Sequence, residues 1–572
     1  MATETEWVNP PLRVESAAAL ARSVGLSESV GDLLWQRGLQ TEAALGDFLA
    51  PRLRSLDDPF RITHLQKAVR RVRQAMERAE SVLIFGDYDV DGVTSTVFLL
   101  QILRRFGLAP RYVVPHRIEE GYGLNSEALE RAFAEEKPDL LIAADCGTSA
   151  REVVAHLRAQ GVDVLILDHH TSKEALPEDC ILVNPHVFDA SDEPWTEVCT
   201  VGLVFKFVHG LLKSLRADGD QVAHEVDLRE YLDLTALGTL ADLVPLRGEN
   251  RIFAAAGLRA ISQSPRLGLA ALIEISGLSL DAEISPFDVA FRLGPRINAC
   301  GRLNDASAPI ELLLSTDWST AQSLARTLDE LNKERQEIER VITAQAEAQI
   351  QTHAADAPAY LLHHPDWHAG VVGIVASKVA QEHHRPTLVF AEENGVAKGS
   401  GRSVEGVDLV EVLKPCADLL ESWGGHPMAV GLACDPKRLE ALRAHFQENV
   451  ASRLNGHAPT KRLRLSAWVE PGDLTEKLLR DLDRLAPFGQ GHPEPIFALR
   501  NVRVRFCKSF GHNGKHLRFA VERSPGQYLQ CVGWNAAETP PPENQPVDLA
   551  GRFHWNTWQG RKQPRFTLVA WR

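Results

Sequence analysis

Val82-Leu83-Ile84-Phe85-Gly86-Asp87-Tyr88-Asp89-Val90-Asp91-Gly92 carries an apolar run straight into a glycine turn with three alternating carboxylates. Two further stretches repeat the pattern. Leu140-Leu141-Ile142-Ala143-Ala144 leads into Asp145-Cys146-Gly147, and Val164-Leu165-Ile166-Leu167 leads into Asp168-His169-His170. Between these runs lie helical segments, and that βαβ rhythm predicts a parallel sheet in an α/β lobe. Parallel strands present their carboxyl ends along one edge, where ligands bind. Carboxylates and imidazoles delivered there converge on one point. An oxygen-rich set with one or two histidines suits Mn²⁺ or Mg²⁺ better than a structural zinc site. The pattern therefore points to two-metal phosphoryl hydrolysis.

Asp87, Asp89 and Asp91 would repel one another unless cations neutralise them. A solvated turn or a calcium loop competes with that reading. The calcium loop is weakened because the twelfth position from Asp87 is Phe98, inside an apolar helix, where such a loop needs Glu. The glycine turn and the start of the following helix also offer backbone N–H groups to phosphate oxygens. Adjacent side chains on a strand point oppositely, so His169 and His170 reach one metal pair only if the strand ends before them. Otherwise one is a ligand and the other packs. Asp145 lies between the two other clusters in chain order, which suits it to bridge two ions. Asp242 ends the apolar stretch Thr235–Ala241; taken alone, an acid there is a helix-end or surface residue. Cys146 beside Asp145 reads as a small buried residue rather than a nucleophile.

At 572 residues the chain calls for three or four domains. Its apolar share of 44% and charged share of 24% are those of a soluble globular protein. No apolar run is long enough for a transmembrane helix, and Met1–Glu6 lacks the basic and apolar regions of a signal peptide. Eight scattered cysteines without metal-finger spacing fit reduced thiols in a cytosol. The net charge of −14 does not by itself suggest a nucleic-acid binder. Residues 461–572, however, carry 18 Lys and Arg against 10 Asp and Glu. A basic C-terminal segment on an acidic body is compatible with a phosphate-backbone partner.

Coarse periodicity divides the chain into a helical segment (1–78), an α/β catalytic unit (79–315), a connecting helix (316–357), a second α/β unit (358–460) and a C-terminal β unit (461–572). The connecting segment is rich in Ala, Glu, Gln and Leu, with Asp317 or Ser319 as candidate caps. A helix of that length bridges two lobes or packs flat on one, and both remain open. The last unit has short strand-like runs, among them Val502–Phe506, Leu517–Val521 and Phe566–Trp571, which suggest a small β-barrel with an OB-fold as the leading candidate.

The Asp-His-His triplet, together with Asp-x-Asp, an isolated Asp and a later Asp, resembles the DHH phosphoesterase superfamily. Within it the chain is similar to the single-strand-specific 5′→3′ DNA exonucleases over nearly its whole length. The likeness includes Arg117–Leu124 (RIEEGYGL), Gly294–Arg302 (GPRINACGR) and Trp367–Ser377 (WHAGVVGIVAS). Gly399-Ser400-Gly401-Arg402-Ser403 and Gly424-Gly425-His426-Pro427 resemble substrate-binding turns of the associated DHHA1 domain, and Pro487–Pro495 (PFGQGHPEP) resembles the start of the family's OB domain.

The resemblance implies a fold of a parallel-sheet DHH lobe and a second α/β DHHA1 lobe joined by a long helix, plus a C-terminal OB-like barrel. It implies two Mn²⁺ or Mg²⁺ ions held by Asp89, Asp91, Asp145, His169 and Asp242. His170 would sit close to the scissile phosphate, with Asp168 orienting the site. Many DHH enzymes carry a His where this chain has Phe85, and Asp87 would replace that ligand. Arg117, Arg296, Arg302, Ser400, Arg402 and His426 are candidates for holding the 5′ end and its phosphate, although each Arg has a surface salt bridge as its alternative. Tyr122 would stack on a base, and Trp555, Trp558 and Phe553 are candidate stacking residues on the barrel. The implied partner is single-stranded DNA with a 5′ end, with a single-strand-binding protein and a helicase as candidate protein partners. The expected protein is a cytoplasmic monomer without a membrane. Two other readings are kept: a DHH phosphodiesterase for short oligonucleotides or cyclic dinucleotides, and a non-catalytic replication scaffold.

Overall fold

Five parallel strands form the sheet beneath the acidic turns, in the spatial order Arg111–Val113, Val82–Gly86, Leu140–Ala144, Asp163–Leu167, Ile181–Val183. Chain order reverses between Val82–Gly86 and Leu140–Ala144. The connections leaving these two neighbours diverge, opening a crevice at their carboxyl ends. Both strands are buried along their whole length, so their apolar runs serve two cores at once. Ile84 faces the layer of helices Leu65–Arg78, Val90–Arg105 and Thr200–Ala217. Phe85 faces the opposite layer, with helices Ser126–Phe133 and Arg151–Ala159. The fold is given by a computed structural model that describes residues 5–11, 14–116, 120–121, 123–172, 174–303, 306–354, 356–558 and 561–572.

The helix Trp318–Gln349 is capped by Asp317, whose carboxylate accepts from the Thr320 N–H at 2.7 Å. Its first half packs Ala321, Ala325 and Leu328 into the catalytic lobe, and its second half packs Ile342 and Ala346 against the second lobe. It is therefore a bridge. The second lobe is a mixed five-stranded sheet in the order Ser422–His426, Ala429–Cys434, Val396–Arg402, Thr387–Glu393, Tyr360–His364, with helix Val372–His383 joining its one parallel pair. The C-terminal strands Phe497–Phe510, His516–Ser524, Gln527–Gly533, Pro546–Trp558 and Arg561–Trp571 close into a barrel, because the first pairs with both the second and the fourth.

The N-terminal residues do not stay together. Glu6–Val8 pairs in parallel with Arg462–Arg464, and Ala21, Leu26, Val30, Leu33, Leu34 and Leu45 share a core with the barrel unit. Helix Leu65–Arg78 instead lays its stripe of Leu65, Ala68, Val69, Val72 and Ala75 into the catalytic lobe. The apolar faces of these N-terminal elements thus match different partners. No helix among the described residues is long and apolar enough to cross a membrane.

Candidate metal centre

Asp89 closes the first turn of helix Val90–Arg105 as its N-cap, accepting from the N–H groups of Asp91 (2.9 Å) and Gly92 (3.1 Å). The helix starts at Val90, ahead of its apolar run Val97–Leu100, because this cap satisfies its free donors. Asp91, fully buried, accepts from the Thr200 and Val201 N–H groups at 2.6 and 2.8 Å. These open helix Thr200–Ala217, whose positive end favours the carboxylate. The Thr200 hydroxyl donates to Asp145 at 2.8 Å. Asp145 sits one residue past its strand with φ +69, a left-handed turn that aims its carboxylate back across the strand ends.

The third strand ends at Leu167, so both imidazoles that follow are free of strand alternation, and their rings lie 4.6 Å apart. Asp168 is buried and accepts from the Thr148, His169 and His170 N–H groups at 3.0, 2.8 and 3.1 Å, and from His170 Nδ1 at 2.8 Å. Asn184 donates to the His170 carbonyl at 2.8 Å, and His186 Nδ1 donates to the His169 carbonyl. Held this way, His169 Nε2 lies 3.5 Å from Asp145, 3.6 Å from Asp242 and 3.8 Å from Asp91. It is buried and makes no hydrogen bond.

Three groups of candidate ligands arise, each with its donor atoms within 4.8 Å: Asp91, His169 and Asp242; Asp87, Asp89 and Asp145; and Asp145, His169 and His170. Asp87 thus joins the cluster from the turn, while Phe85 is fully buried in the sheet. Burial and the Asp89 charge push Asp91 up to about 7. Burial and the neighbouring carboxylates push Asp145 and Asp242 well above the usual range. Burial drives His169 down to about 3, leaving a neutral ring. For His170 burial works downward, but the hydrogen bond and charge of Asp168 outweigh it and raise it to about 9. The same pairing overcomes burial at Asp168 and holds it well below the usual carboxylate range. Five crowded carboxylates and an unpartnered neutral nitrogen fit divalent cations, which relieve the repulsion and use the lone pair.

A polar cavity of about 190 Å³ lined by Tyr88, Asp89, Asn298 and Arg302 adjoins the cluster. Asn298 Oδ1 accepts from the Val90 N–H, and Arg302 donates to the Gly370 carbonyl of the second lobe. On that lobe Ser400 lies opposite Gly431 and Gly424 across the sheet, and Arg402 lies opposite Ala429 and His426. Directly opposed residues share a face. Ser400, Arg402 and His426 therefore stand over a bare floor, with nothing within 4 Å of a Cβ built at Gly424 or Gly431. Gly373, at the start of helix Val372–His383, closes this cradle: a Cβ there would stand 3.2 Å from Ser400 Oγ and 3.5 Å from Arg402 Nη2.

Arg296 does not join either group in this arrangement. Its guanidinium is taken by Asp329 of the bridging helix at 2.9 Å and by the Arg292 carbonyl at 2.6 Å. Arg117 and Tyr122 fall outside the described residues, and so does the side chain of Trp558. On the barrel, Phe553 points into the core, and Trp555 is half-buried against that core with its Nε1 donating to Asp483. Among the described side chains of the barrel the open aromatics are Phe506, Tyr528 and Trp534, at 65%, 43% and 53% exposure. Thr200 and Asn298 were not foreseen: the first opens a helix that follows none of the acid-tipped strands, and the second lies unmarked inside the Gly294–Arg302 motif.

Three family models match the chain: the N-terminal domain of the DHH family over residues 81–239, the DHHA1 domain over 352–452 and the RecJ OB domain over 465–570. The single-stranded-DNA-specific exonuclease RecJ of Bacillus subtilis (strain 168) is 34% identical over 99% of this chain and 71% of its own length. The crystal structure of RecJ in complex with Mn²⁺ from Thermus thermophilus is 28% identical with a TM-score of 0.85, covering 100% of this chain and 80% of that chain. Its counterpart in complex with Mg²⁺ gives a TM-score of 0.79 at 28% identity, over 99% and 78%. The chain belongs to the RecJ family of single-stranded-DNA-specific exonucleases in the DHH superfamily.

Proposed function

We propose that this chain degrades single-stranded DNA from the 5′ end to mononucleotides, at a centre for two Mn²⁺ or Mg²⁺ ions. Asp91, His169 and Asp242 form one pole, Asp87 and Asp89 the other, and Asp145 bridges them. The single observation carrying this reading is the buried, unpartnered His169 Nε2 between three carboxylates. Bound there, divalent ions supply charge neutralisation for a phosphodiester and lower the pKa of an attacking water.

The chain's own residues do the rest. Asp168 holds His170 Nδ1, so the proton that His170 offers to a phosphate oxygen is on Nε2, and the raised pKa keeps it there at neutral pH. Arg302 and Asn298 line the cavity between metal cluster and second lobe, where a guanidinium grips a phosphate in two places. Ser400, Arg402 and His426 form a second anion cradle one lobe away, suited to a terminal 5′ phosphate. The division into catalytic lobe, bridging helix, second lobe and barrel assigns chemistry to the cleft and strand capture to the barrel. The partner is a single strand with a 5′ end, with single-strand-binding protein and helicase as candidate protein partners of a cytoplasmic enzyme.

Mn²⁺-dependent release of mononucleotides from 5′-phosphorylated single strands, compared with duplex and with dinucleotides, tests the proposal. Long single strands should be consumed and blunt duplex spared. Survival of long strands while dinucleotides disappear would instead favour the small-substrate phosphodiesterase, and no cleavage of either would favour the scaffold.

A further inference from the structure

Three residues past Asp242 the chain reaches Pro245, and the segment from there to Arg251 touches the loop leading into Thr200, the N-terminal helices and the turn leading into the barrel. Asn250, 1% exposed, donates from Nδ2 to the Pro245 carbonyl at 3.1 Å and to the Glu197 carbonyl at 2.6 Å. It thereby ties the loop after Asp242 to the loop that leads into Thr200 and Val201, the donors to Asp91 and Asp145. The Glu249 N–H reinforces this tie by donating to the Pro194 carbonyl at 3.0 Å.

Arg251 faces outward from the same turn. It is 3% exposed, and no carboxylate answers it among its described contacts. Its guanidinium donates instead to the carbonyls of Leu485, Ala486 and Pro487, at 2.8, 3.0 and 3.1 Å, and to that of Phe48 at 2.9 Å, with the Phe48 ring 3.7 Å away. These carbonyls belong to the turn leading into the barrel and to the N-terminal helices. The same turn returns the contact: the Leu246 N–H donates to the Gln490 carbonyl at 2.8 Å. Gly489 and Gly491 lie against Leu246 and Pro245 so closely that a Cβ would stand 2.8 and 2.9 Å from them.

We infer that Asn250 and Arg251 are positioning residues through which docking of the barrel fixes the Asp242 loop and the Thr200 turn, making divalent-ion affinity depend on a domain that supplies no ligand. Buried carbonyls that lose their donor must find another, so the loops cannot keep their places if either side chain is removed. The inference rests on the proposed metal centre.

Mn²⁺ binding to the full chain, followed by the loss of the free-ion EPR signal, tests it without relying on turnover. Arg251→Ala and Asn250→Ala should weaken Mn²⁺ binding by about tenfold, as loss of residues that orient ligands does. Turnover of a 5′-phosphorylated dinucleotide should recover at saturating Mn²⁺. Gly491→Ala, which presses on Pro245 and removes no buried charge, should shift Mn²⁺ affinity in the same direction, and it serves where the other two fail to fold. Phe506→Ala/Trp534→Ala, on the open barrel face, should leave Mn²⁺ binding unchanged. Unaltered Mn²⁺ affinity in folded Arg251→Ala or Gly491→Ala would overturn the inference and leave a plain structural rivet. Absence of Mn²⁺ binding in the unaltered chain would overturn the metal centre itself.

Discussion

In the proposed centre Asp145 serves both poles, since it stands with Asp87 and Asp89 and again with His169 and His170. Asp145→Ala should lower turnover by about 10³-fold or more, because several kcal/mol of charge stabilisation vanish, while strand binding changes little. Retained turnover in steady-state assays would contradict the bridging role. The protonation pattern gives a second expectation, for the metal-free protein. Asp91 is raised to about 7 and His170 to about 9, so between pH 6.5 and 9 the folded chain binds more protons than the unfolded one. The His170 contribution is fully present below its unfolded pKa and is lost as pH rises through about 9, while the Asp91 penalty is complete above about 7. Both make the metal-free fold less stable as pH rises. Divalent ions require ionised carboxylates, so the rise in melting temperature on adding Mn²⁺ should be larger at pH 8.5 than at 6.5. A gain that shrinks over that range in thermal melts with and without chelator would count against the cluster. These residues were legible because acids and histidines at strand ends have few other reasons to be there. Thr200 was not, since its contact to Asp145 is made by packing of a helix 55 residues away in sequence.

Elements show where reading by pattern succeeds and where it stops. Helix Arg151–Ala159 and the three acid-tipped strands follow from apolar runs bounded by turns. Three of the five barrel strands were marked by such runs as well, but not their faces. Phe553 was a candidate for stacking and is core, because a strand's facing depends on register, and one residue reverses it. Phe506 is turned outward at φ +55 within an irregular step of pairing between Arg505 and Lys508, which periodicity does not reveal. Helix Leu232–Ala241 offers a test of how tightly elements are set around the metal centre. A Cβ at Gly238 would stand 2.6 Å from Val201 Cγ1 and 2.9 Å from Asp91 Oδ1. Gly238→Ala should therefore destabilise the chain by about 1–3 kcal/mol despite the better helix propensity of Ala. It should also weaken Mn²⁺ binding by displacing Asp91. Denaturant melts and metal titration check both; a more stable variant would mean that the two helices have room to part.

For the whole molecule, the obvious experiment, truncation after about residue 460, removes more than a capture domain. It strips the N-terminal helices of their core partners Leu478, Leu479 and Leu482 and removes the turn that Arg251 grips. Loss of activity would then mix capture, folding and metal affinity. Substitutions on the barrel surface separate them. Phe506 and Tyr528 meet edge-on at 5.7 Å, and Trp534 lies beside Phe510 and His516, with Arg518 5.1 Å from the Phe510 ring. Open rings beside basic side chains suit stacking on successive bases of a single strand. Phe506→Ala/Trp534→Ala should raise KM for long strands by about tenfold or more, at about 1–3 kcal/mol per stacked base, and leave dinucleotide turnover unchanged. Because no charge is altered, the slope of log affinity against log salt should stay the same. Arg518→Ala/Lys508→Ala should flatten that slope by about 0.7 for each phosphate of a single strand left without its basic partner. If the aromatic variants bind long strands normally while the basic ones lose both affinity and slope, the barrel holds DNA by its backbone alone. If neither pair changes long-strand KM, capture belongs to the cleft between the lobes, and the barrel's part in the enzyme reduces to the support it gives the Asp242 loop.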